Sequence, residues 1–195
     1  DVPQQAALDF MKEHRDEPFF LYYATWLVHG PWVMRSEELL RKYEQKLGVK
    51  VTEKHKNSWD VLGQKNPFYC AMVEQLDYYL GQVFTYLEST EDPRWPGHRL
   101  SENTYVIFTS DNGGMEVSHT VTDNAPLDRG KISAKEGGVR VPLIITGPGI
   151  PAGVESDVMV NGLDFYPTIL SLVGAQKRTG QQLDGCDLAP LLTGK

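Results

Sequence analysis

The sequence has few cysteines, few basic residues and no long apolar run, and each shortage excludes a class of protein. Its 195 residues include only two cysteines, Cys70 and Cys186, too few for a disulfide scaffold. Lysine and arginine number 19 against 26 acidic residues, so the formal net charge is −7. This charge argues against nucleic acid or an anionic membrane surface as a partner. No run of roughly 18 apolar residues could form a membrane span.

Helical and strand-like patterns alternate along the chain. This alternation predicts an α/β fold with a mainly parallel sheet and flanking helices. A hydrophobic content of 41% is ordinary for one globular domain with a substantial core. We expect helices at about 4–14, 36–47, 68–88 and 164–173, and strands at 19–25, 105–108, 141–146 and 158–160. The stretch 48–63 is strongly polar and predicts a solvated insertion.

Residues 104–114 read TYVIFTSDNGG and predict a buried strand that ends in Asp111 and Asn112. Ligand groups of open parallel sheets gather just beyond the carboxyl ends of the strands. A carboxylate and an amide oxygen at that place are hard donors, which suit Ca²⁺ or Mg²⁺. Taken alone, however, Asp-Asn-Gly-Gly favours a simple turn.

Residues downstream change that interpretation. Residues 130–142 read GKISAKEGGVRVP and lead into an apolar run. This order of motifs resembles the sulfatase family of the alkaline-phosphatase-like superfamily: first DNGG, then Gly-Lys, then EGGVRVP. Other segments are similar to family segments in the same order: PFFLYYATWLVHGPW (18–32), YCAMVEQLDYYLGQVFTYLEST (69–90), VNGLDFYPTILSLVGA (161–175) and LDGCDLAPLLTG (183–194). Each motif is weak alone, but five in family order are specific.

The resemblance implies a set of site residues. Asp111 and Asn112 match the family's second pair of metal ligands, for Ca²⁺ and less readily Mg²⁺. Lys131 matches the lysine that reaches the substrate sulfate, because it lies five residues before the glutamate of EGGVRVP. Lys135 competes for that role, although the family often has an aromatic residue there. His29, in the His-x-Pro at 29–31, matches the histidine that binds sulfate or protonates the leaving oxygen.

Without the flanking motifs, Lys131 and His29 would be ordinary loop residues. His119 lies in the loop between the metal pair and Lys131, but no motif supports a role for it. Trp32 is a candidate for a sugar or aryl contact because of its large amphipathic ring. We expect Arg140 to anchor an internal ion pair, with the glutamate of EGGVRVP as partner.

Two neighbouring glycines, Gly137 and Gly138, are predicted to be structural. Glycine tolerates a close backbone approach or a positive φ, and either would suit a chain turning into the next strand.

The family nucleophile is formylglycine, made from the first residue of a Cys/Ser-x-Pro/Ala-x-Arg motif. Neither Cys70 nor Cys186 has an arginine four positions on. The resemblance therefore implies that residues 1–195 are a partial catalytic domain, with the nucleophile-bearing N-terminal half and the C-terminal subdomain outside it. The remainder of the catalytic domain is then a partner, and we expect the isolated 195 residues to be inactive. Family resemblance alone suggests a periplasmic or secreted protein.

The expected function is that of a segment of a sulfuric ester hydrolase acting on a sulfated small molecule or carbohydrate. A phosphoryl or phosphonate ester hydrolase of the same superfamily is an alternative. Asn112 argues against it, because those relatives typically have histidine at this position. A sulfatase-like binding protein without a nucleophile is a further alternative.

Overall fold

A computed structural model describes residues 2–52, 64–116 and 121–194. Most of the predicted insertion at 48–63 lies outside these ranges. The chain divides into two compact units, one ending at Ile144 and the other beginning at Ile145. None of the described helices is both long enough and apolar enough to cross a bilayer.

The helices of the sequence-based prediction are confirmed to within about two residues at each end. The first unit contains α1 (Val2–Glu13), α2 (Glu37–Leu47), α3 (Pro67–Ser89), a 3₁₀ turn (Leu100–Asn103), β1 (Val106–Thr109) and α4 (Glu136–Val139). Strand β2 (Leu143–Thr146) spans the division, and a 3₁₀ turn (Gly162–Asp164), α5 (Phe165–Leu172) and α6 (Ala189–Thr193) follow.

Local capping explains where α2 and α3 begin and end. The Ser36 hydroxyl accepts a backbone N–H of α2 at 3.3 Å, and Gly48 ends that helix with φ of 65°. Helix α3 begins at Pro67, whose missing N–H costs nothing in a first turn. The side chain of Asn66 accepts two backbone N–H groups there, at 3.0 and 3.3 Å. The pair Asn66-Pro67 is thus a start signal one residue earlier than the predicted boundary.

Helix α3 carries a hydrophobic cluster at each end. Near its C-terminus it packs on α1 and the 3₁₀ turn, through Leu8, Met11, Leu87 and Leu100. Near its N-terminus it packs on the segment after residue 27, through Trp32, Phe68, Met72 and Val121. We call this second group the Trp32 cluster.

The mainly parallel sheet expected from the sequence is not confirmed. In the described residues the sheet has two strands, β1 and β2, which run antiparallel. The Thr109 hydroxyl, at the end of β1, donates to the carbonyl of Pro142, just before β2, at 3.0 Å. Parallel strands need a crossover of about a dozen residues or more, usually helical. The connection, residues 110–142, is long enough for a crossover, but its described part contains only the four-residue helix α4. The contact of Thr109 with Pro142 instead places the start of β2 at the end of β1.

The predicted strand at 19–25 has an alternating burial pattern but pairs with no strand in the described part of the chain. Phe19 and Leu21 pack against the cluster of α1 and α3, whereas Phe20 and Tyr22 are 70% and 81% exposed. The alternation is that of a strand, but a strand also needs backbone partners. The predicted strand at 158–160 is wrong for the same reason.

The second unit is held together by one buried carboxylate and one buried hydroxyl. Asp164 accepts backbone N–H groups of Cys186 at 2.7 Å and Asn161 at 2.8 Å. Thr168 donates to the Asp164 carbonyl at 2.6 Å and accepts the Leu188 N–H at 2.8 Å. We call residues 186–188 the closing segment, and side-chain bonds to its backbone N–H groups fasten it to α5 and to the 3₁₀ turn before α5. The two N–H groups that reach the Asp164 carboxylate lower its pKa.

Candidate active site

Asp111 and Asn112 follow β1 directly and form a solvent-facing turn. Asp111 is exposed and Asn112 half-buried. The amide nitrogen of Asn112 donates to the Gly113 carbonyl at 3.1 Å, and the Ser110 hydroxyl donates to the Asn112 carbonyl at 2.9 Å. These bonds hold the turn, and within the described residues no hydrogen bond occupies the Asp111 carboxylate or the Asn112 amide oxygen.

The two oxygens fit a calcium ion in kind but supply only part of its coordination. Ca²⁺ takes about six to eight oxygen ligands from carboxylates, amides, carbonyls and water. Across residues 2–52, 64–116 and 121–194, no group of three or more His, Cys, Asp or Glu side chains could hold a metal ion. Asp111 and Asn112 would thus be two ligands of a site completed by other oxygens.

Behind this turn, glycines pack backbone directly on backbone. A Cβ added to Gly113 would lie 1.7 Å from the Gly137 carbonyl oxygen, and one added to Gly130 would lie 2.3 Å from that of Gly114. The Gly113 N–H also donates to the Gly138 carbonyl at 2.9 Å. We call these five residues the glycine joint. The prediction that Gly137 and Gly138 are structural is met through close approach rather than positive φ.

The glycine joint holds the backbone of Lys131 against the segment that follows Asp111 and Asn112. The Lys131 N–H donates to the Gly114 carbonyl at 2.9 Å, and its half-buried side chain forms no ion pair in the described part of the chain. Lys135 is more exposed, and its ammonium lies 3.8 Å from the Asp128 carboxylate. The two lysines thus differ in their contacts, and the assignment of Lys131 rather than Lys135 to the substrate stays a prediction.

The backbone around Lys131 is strained. Arg129 and Ile132 have φ of 66° and 71°, the left-handed region that side chains rarely adopt, least of all β-branched ones. Such conformations cost about 1–3 kcal/mol each and persist only where the surroundings over-determine them. Here the close backbone contacts of the glycine joint determine the path of the loop.

Asn124 is a site-forming residue that the sequence analysis did not identify. Its amide nitrogen donates to the carbonyls of Gly114 and Arg129, both at 3.1 Å, and its backbone N–H donates to the Glu116 carboxylate at 3.0 Å. Asn124 therefore bridges the segment after Asp111 and the segment before Lys131. Its sequence signal is only that of a polar turn before Pro126.

His29 is exposed, and two contacts fix its ring. Its Nδ1 lies 2.6 Å from the Gly30 carbonyl, and the ring stacks on Trp26 with centroids 5.8 Å apart. Because a carbonyl oxygen only accepts, Nδ1 carries a proton. Nε2 is therefore the nitrogen left to exchange a proton with a substrate.

No hydrogen bond or ion pair joins His29 to Asp111, Asn112 or Lys131 among the described residues. Their chain segments nevertheless meet on the Trp32 cluster, against which Val28 and Met115 both pack. That all four residues face one substrate stays a prediction.

Two neighbouring expectations need correction. Trp32 is only 4% exposed and belongs to the core, so it is not available to a sugar; Trp26, 81% exposed, is. Arg140 lies 3.8 Å from Glu136, but both side chains are about two-thirds exposed, at 68% and 65%, so the ion pair is not internal. His55 and His119 lie outside the described residues.

The cysteines and the cavities do not provide a second centre. Burial raises the pKa of the Cys70 thiol, so it stays protonated and is a poor nucleophile. A cavity of about 440 Å³ lies beside Cys70, Tyr43 and Asn124, and one of about 310 Å³ beside Tyr166 in the second unit. Neither cavity is lined by any of the four predicted site residues.

Comparison with known proteins identifies the family of the chain. The sequence model of the Sulfatase family matches residues 4–175, which contain all four predicted site residues. The chain is 36% identical, over 98% of its length, to a protein of Formosa agariphila described as a sulfatase, and covers 33% of that protein. It is 33% identical to dog N-acetylgalactosamine-6-sulfatase, with coverages of 97% and 32%. It is 30% identical to human N-acetylglucosamine-6-sulfatase, with coverages of 100% and 36%.

The structure is similar to a solved sulfatase from Bacteroides thetaiotaomicron, described in connection with the metabolism of multiple glycosaminoglycans. The TM-score is 0.73 at 25% identity, over 100% of this chain and 36% of the other. The chain thus spans about a third of the length of these relatives. Since the family model matches most of its residues, the chain belongs to the sulfatase family.

Proposed function

We propose that the protein containing this chain hydrolyses sulfate esters of carbohydrates, and that a 6-sulfated N-acetylhexosamine is the first substrate to test. The proposal rests on one observation above all. The Lys131 N–H donates to the carbonyl of Gly114, two residues after Asn112, so the backbone of this lysine is tied to the segment that presents Asp111 and Asn112. The names of the dog and human relatives supply the choice of sugar.

Asp111 and Asn112 would hold a Ca²⁺ ion, with Mg²⁺ less well suited. When bound, that cation supplies positive charge close to the sulfate oxygens. The family's formylglycine nucleophile would come from outside these 195 residues.

Lys131 stabilises the negative charge that grows on the sulfate oxygens as the ester bond breaks. A charge aimed at developing charge from a preorganised position is commonly the largest catalytic contribution. Because the glycine joint fixes the Lys131 backbone, little reorganisation is needed. Because no described carboxylate neutralises the ammonium, its charge is available to the substrate.

His29, when protonated, gives a proton from Nε2 to the departing sugar oxygen. Its Nδ1 is held by the Gly30 carbonyl, and Trp26 restricts rotation of the ring. Both contacts preorient Nε2, as general acid catalysis requires. The exposed face of Trp26 is then placed to contact the sugar.

The test uses the full-length protein with 6-sulfated N-acetylglucosamine, 6-sulfated N-acetylgalactosamine and an aryl sulfate. Sulfate release is measured by ion chromatography, before and after removal of divalent cations and after return of Ca²⁺ or Mg²⁺. We expect release that depends on the cation and is restored best by Ca²⁺. Preferred turnover of the matching phosphate esters would support the phosphoryl hydrolase instead. Saturable binding of sulfated sugars without turnover would support a binding protein.

The two lysines make the matched pair of variants. Lys131→Met should lower kcat/KM by about 10²–10³-fold, the usual cost of losing one group that stabilises developing charge. Lys135→Met, which removes a surface partner of Asp128, should change kcat/KM less than about threefold. Equal losses in the two variants would contradict the assignment of Lys131.

A further inference from the structure

Asn124 lies between the two segments that supply the proposed site. One side-chain nitrogen donates to the Gly114 carbonyl, after the Asp111 turn, and to the Arg129 carbonyl, before Lys131. An amide nitrogen has two hydrogens, so these two bonds use its full donor capacity. The bonds also fix which end of the amide faces the carbonyls, since an oxygen there would meet two acceptors.

The Asn124 amide lies directly against two glycines of the glycine joint. A Cβ on Gly130 would lie 2.6 Å from the Asn124 amide nitrogen, and one on Gly114 would lie 2.7 Å from its amide oxygen. The backbone of Asn124 is itself anchored, because its N–H donates to Glu116. The side chain thus fills the gap where the glycine joint has no side chains of its own.

We infer that Asn124 is a positioning residue that sets the distance between Lys131 and the Asp111–Asn112 pair, and so the reach of the cation toward a sulfate bound there. The inference rests on the proposed function for its catalytic consequence. Its structural part does not depend on the reaction: the Asn124 amide donates two hydrogen bonds and so joins two segments of the loop.

The sharpest variant is Asn124→Asp, which keeps the shape and removes the donors. At neutral pH its carboxylate would face two carbonyl oxygens and push the segments apart, so kcat should fall about 10–100-fold. Protonation restores one donor. The like charge of the nearby Glu116, together with Asp123 and Asp128 along the loop, favours that protonation, while Arg129 opposes it. The activity of Asn124→Asp relative to the wild type should therefore recover as the pH falls.

Asn124→Ala provides the comparison, since it loses both donors at every pH. It should show a similar loss of kcat but no recovery in acid. Asp123→Asn, the neighbouring change that keeps an oxygen acceptor for the Ala125 N–H, should leave kcat and the pH profile unchanged. Parallel pH profiles for Asn124→Asp and Asn124→Ala would overturn the inference, because a packing role alone would not distinguish them.

A second measurement on the same full-length variants separates this inference from the proposed function. Hydrogen exchange at the Lys131 and Gly113 amides, which bond to Gly114 and Gly138, should accelerate about tenfold or more in Asn124→Ala. If the wild type releases no sulfate, the proposed function fails, and the exchange result still decides whether Asn124 holds the joint. Unchanged exchange at both amides would overturn the inference.

Discussion

The two regions that supply the proposed site are held by opposite means. The loop carrying Asp111, Asn112 and Lys131 is closed by backbone contacts between glycines, and the side chain of Asn124 bridges two of its segments. The segment carrying His29 is instead anchored by large apolar side chains, above all the buried Trp32. The first region depends on the absence of side chains, whereas the second depends on their volume.

This difference predicts which changes each region tolerates. In the loop that contains the glycine joint, exposed functional side chains can be removed with little change in the free energy of unfolding, whereas one methyl group added to a glycine of the joint would disrupt the fold. In the segment that carries His29, truncation of a buried apolar side chain should lower the free energy of unfolding substantially. Removal of an exposed side chain from the loop should therefore change activity without changing stability, whereas removal of buried volume beside His29 should lower stability.

The largest effect is expected for Asp111→Ala in the complete protein. The side chain is exposed and the turn is held by bonds to its neighbours, so the free energy of unfolding should change by less than about 0.5 kcal/mol. Loss of the charged ligand should nevertheless lower calcium-dependent sulfate release by at least about 10³-fold.

Activity assays, calcium titration and thermal unfolding on the same samples check this prediction. Asp157→Ala, an exposed carboxylate of the second unit, is the control and should behave as the wild type. Normal turnover by Asp111→Ala, with calcium still bound, would refute the role of Asp111.

The two tryptophans beside His29 test the other region. Trp32→Ala removes a 4% exposed side chain and should cost about 3–5 kcal/mol of unfolding free energy. Trp26→Ala removes an 81% exposed one and should cost less than about 0.5 kcal/mol, although it frees the His29 ring. Denaturant unfolding measures both costs, and similar values would show that the Trp32 cluster is not the anchor.

Two glycines test the claim that the loop depends on missing side chains. In Gly113→Ala the new methyl group would lie 1.7 Å from the carbonyl oxygen of Gly137. We therefore expect the free energy of unfolding to fall by about 1–3 kcal/mol and the sulfatase activity to fall as well. Gly81→Ala, in α3 with no atom within 4 Å of the added Cβ, should be neutral or stabilising by up to about 1 kcal/mol. A Gly113→Ala protein that is stable and fully active would contradict the claim that the loop needs the close backbone contacts of the glycine joint.

The helices could be predicted because their ends are specified by residues close in sequence. Strand pairing could not, because it depends on residues that are far apart in sequence. Ser36 and Gly48 specify the ends of α2 through contacts within a few residues. The pattern at 19–25 correctly predicts side chains that alternate between half-buried and exposed, but strand pairing depends on residues far away in the sequence. The direction of β2 likewise depends on how the loop after Asp111 folds back.

The candidate site shows the same limit. Asp111, Asn112 and Lys131 were found because motif order marks them. Asn124 was not, because its bonds to Gly114 and Arg129 exist only once the loop has closed. The exposure of Trp26 rather than Trp32 similarly follows from packing on Phe68 and Met72, which no local pattern encodes.

The smallest expected effect concerns the second unit, which uses a third means of support, a buried carboxylate bonded to backbone. The N–H groups of Cys186 and Asn161 lower the pKa of Asp164, so the ionised form is favoured in the folded state. Its contribution is therefore fully present above the ordinary Asp pKa of about 3.9 and is lost as the pH falls through the lower folded value.

Hydrogen exchange tests this prediction. Protection of the Cys186 and Asn161 amides from exchange should decline in acid in the wild type. In Asp164→Asn, which cannot ionise, protection should be weaker at neutral pH and should change less below about pH 4. Asp157→Asn should follow the wild-type curve, and an unchanged acid profile in Asp164→Asn would show that other groups fasten the closing segment to α5.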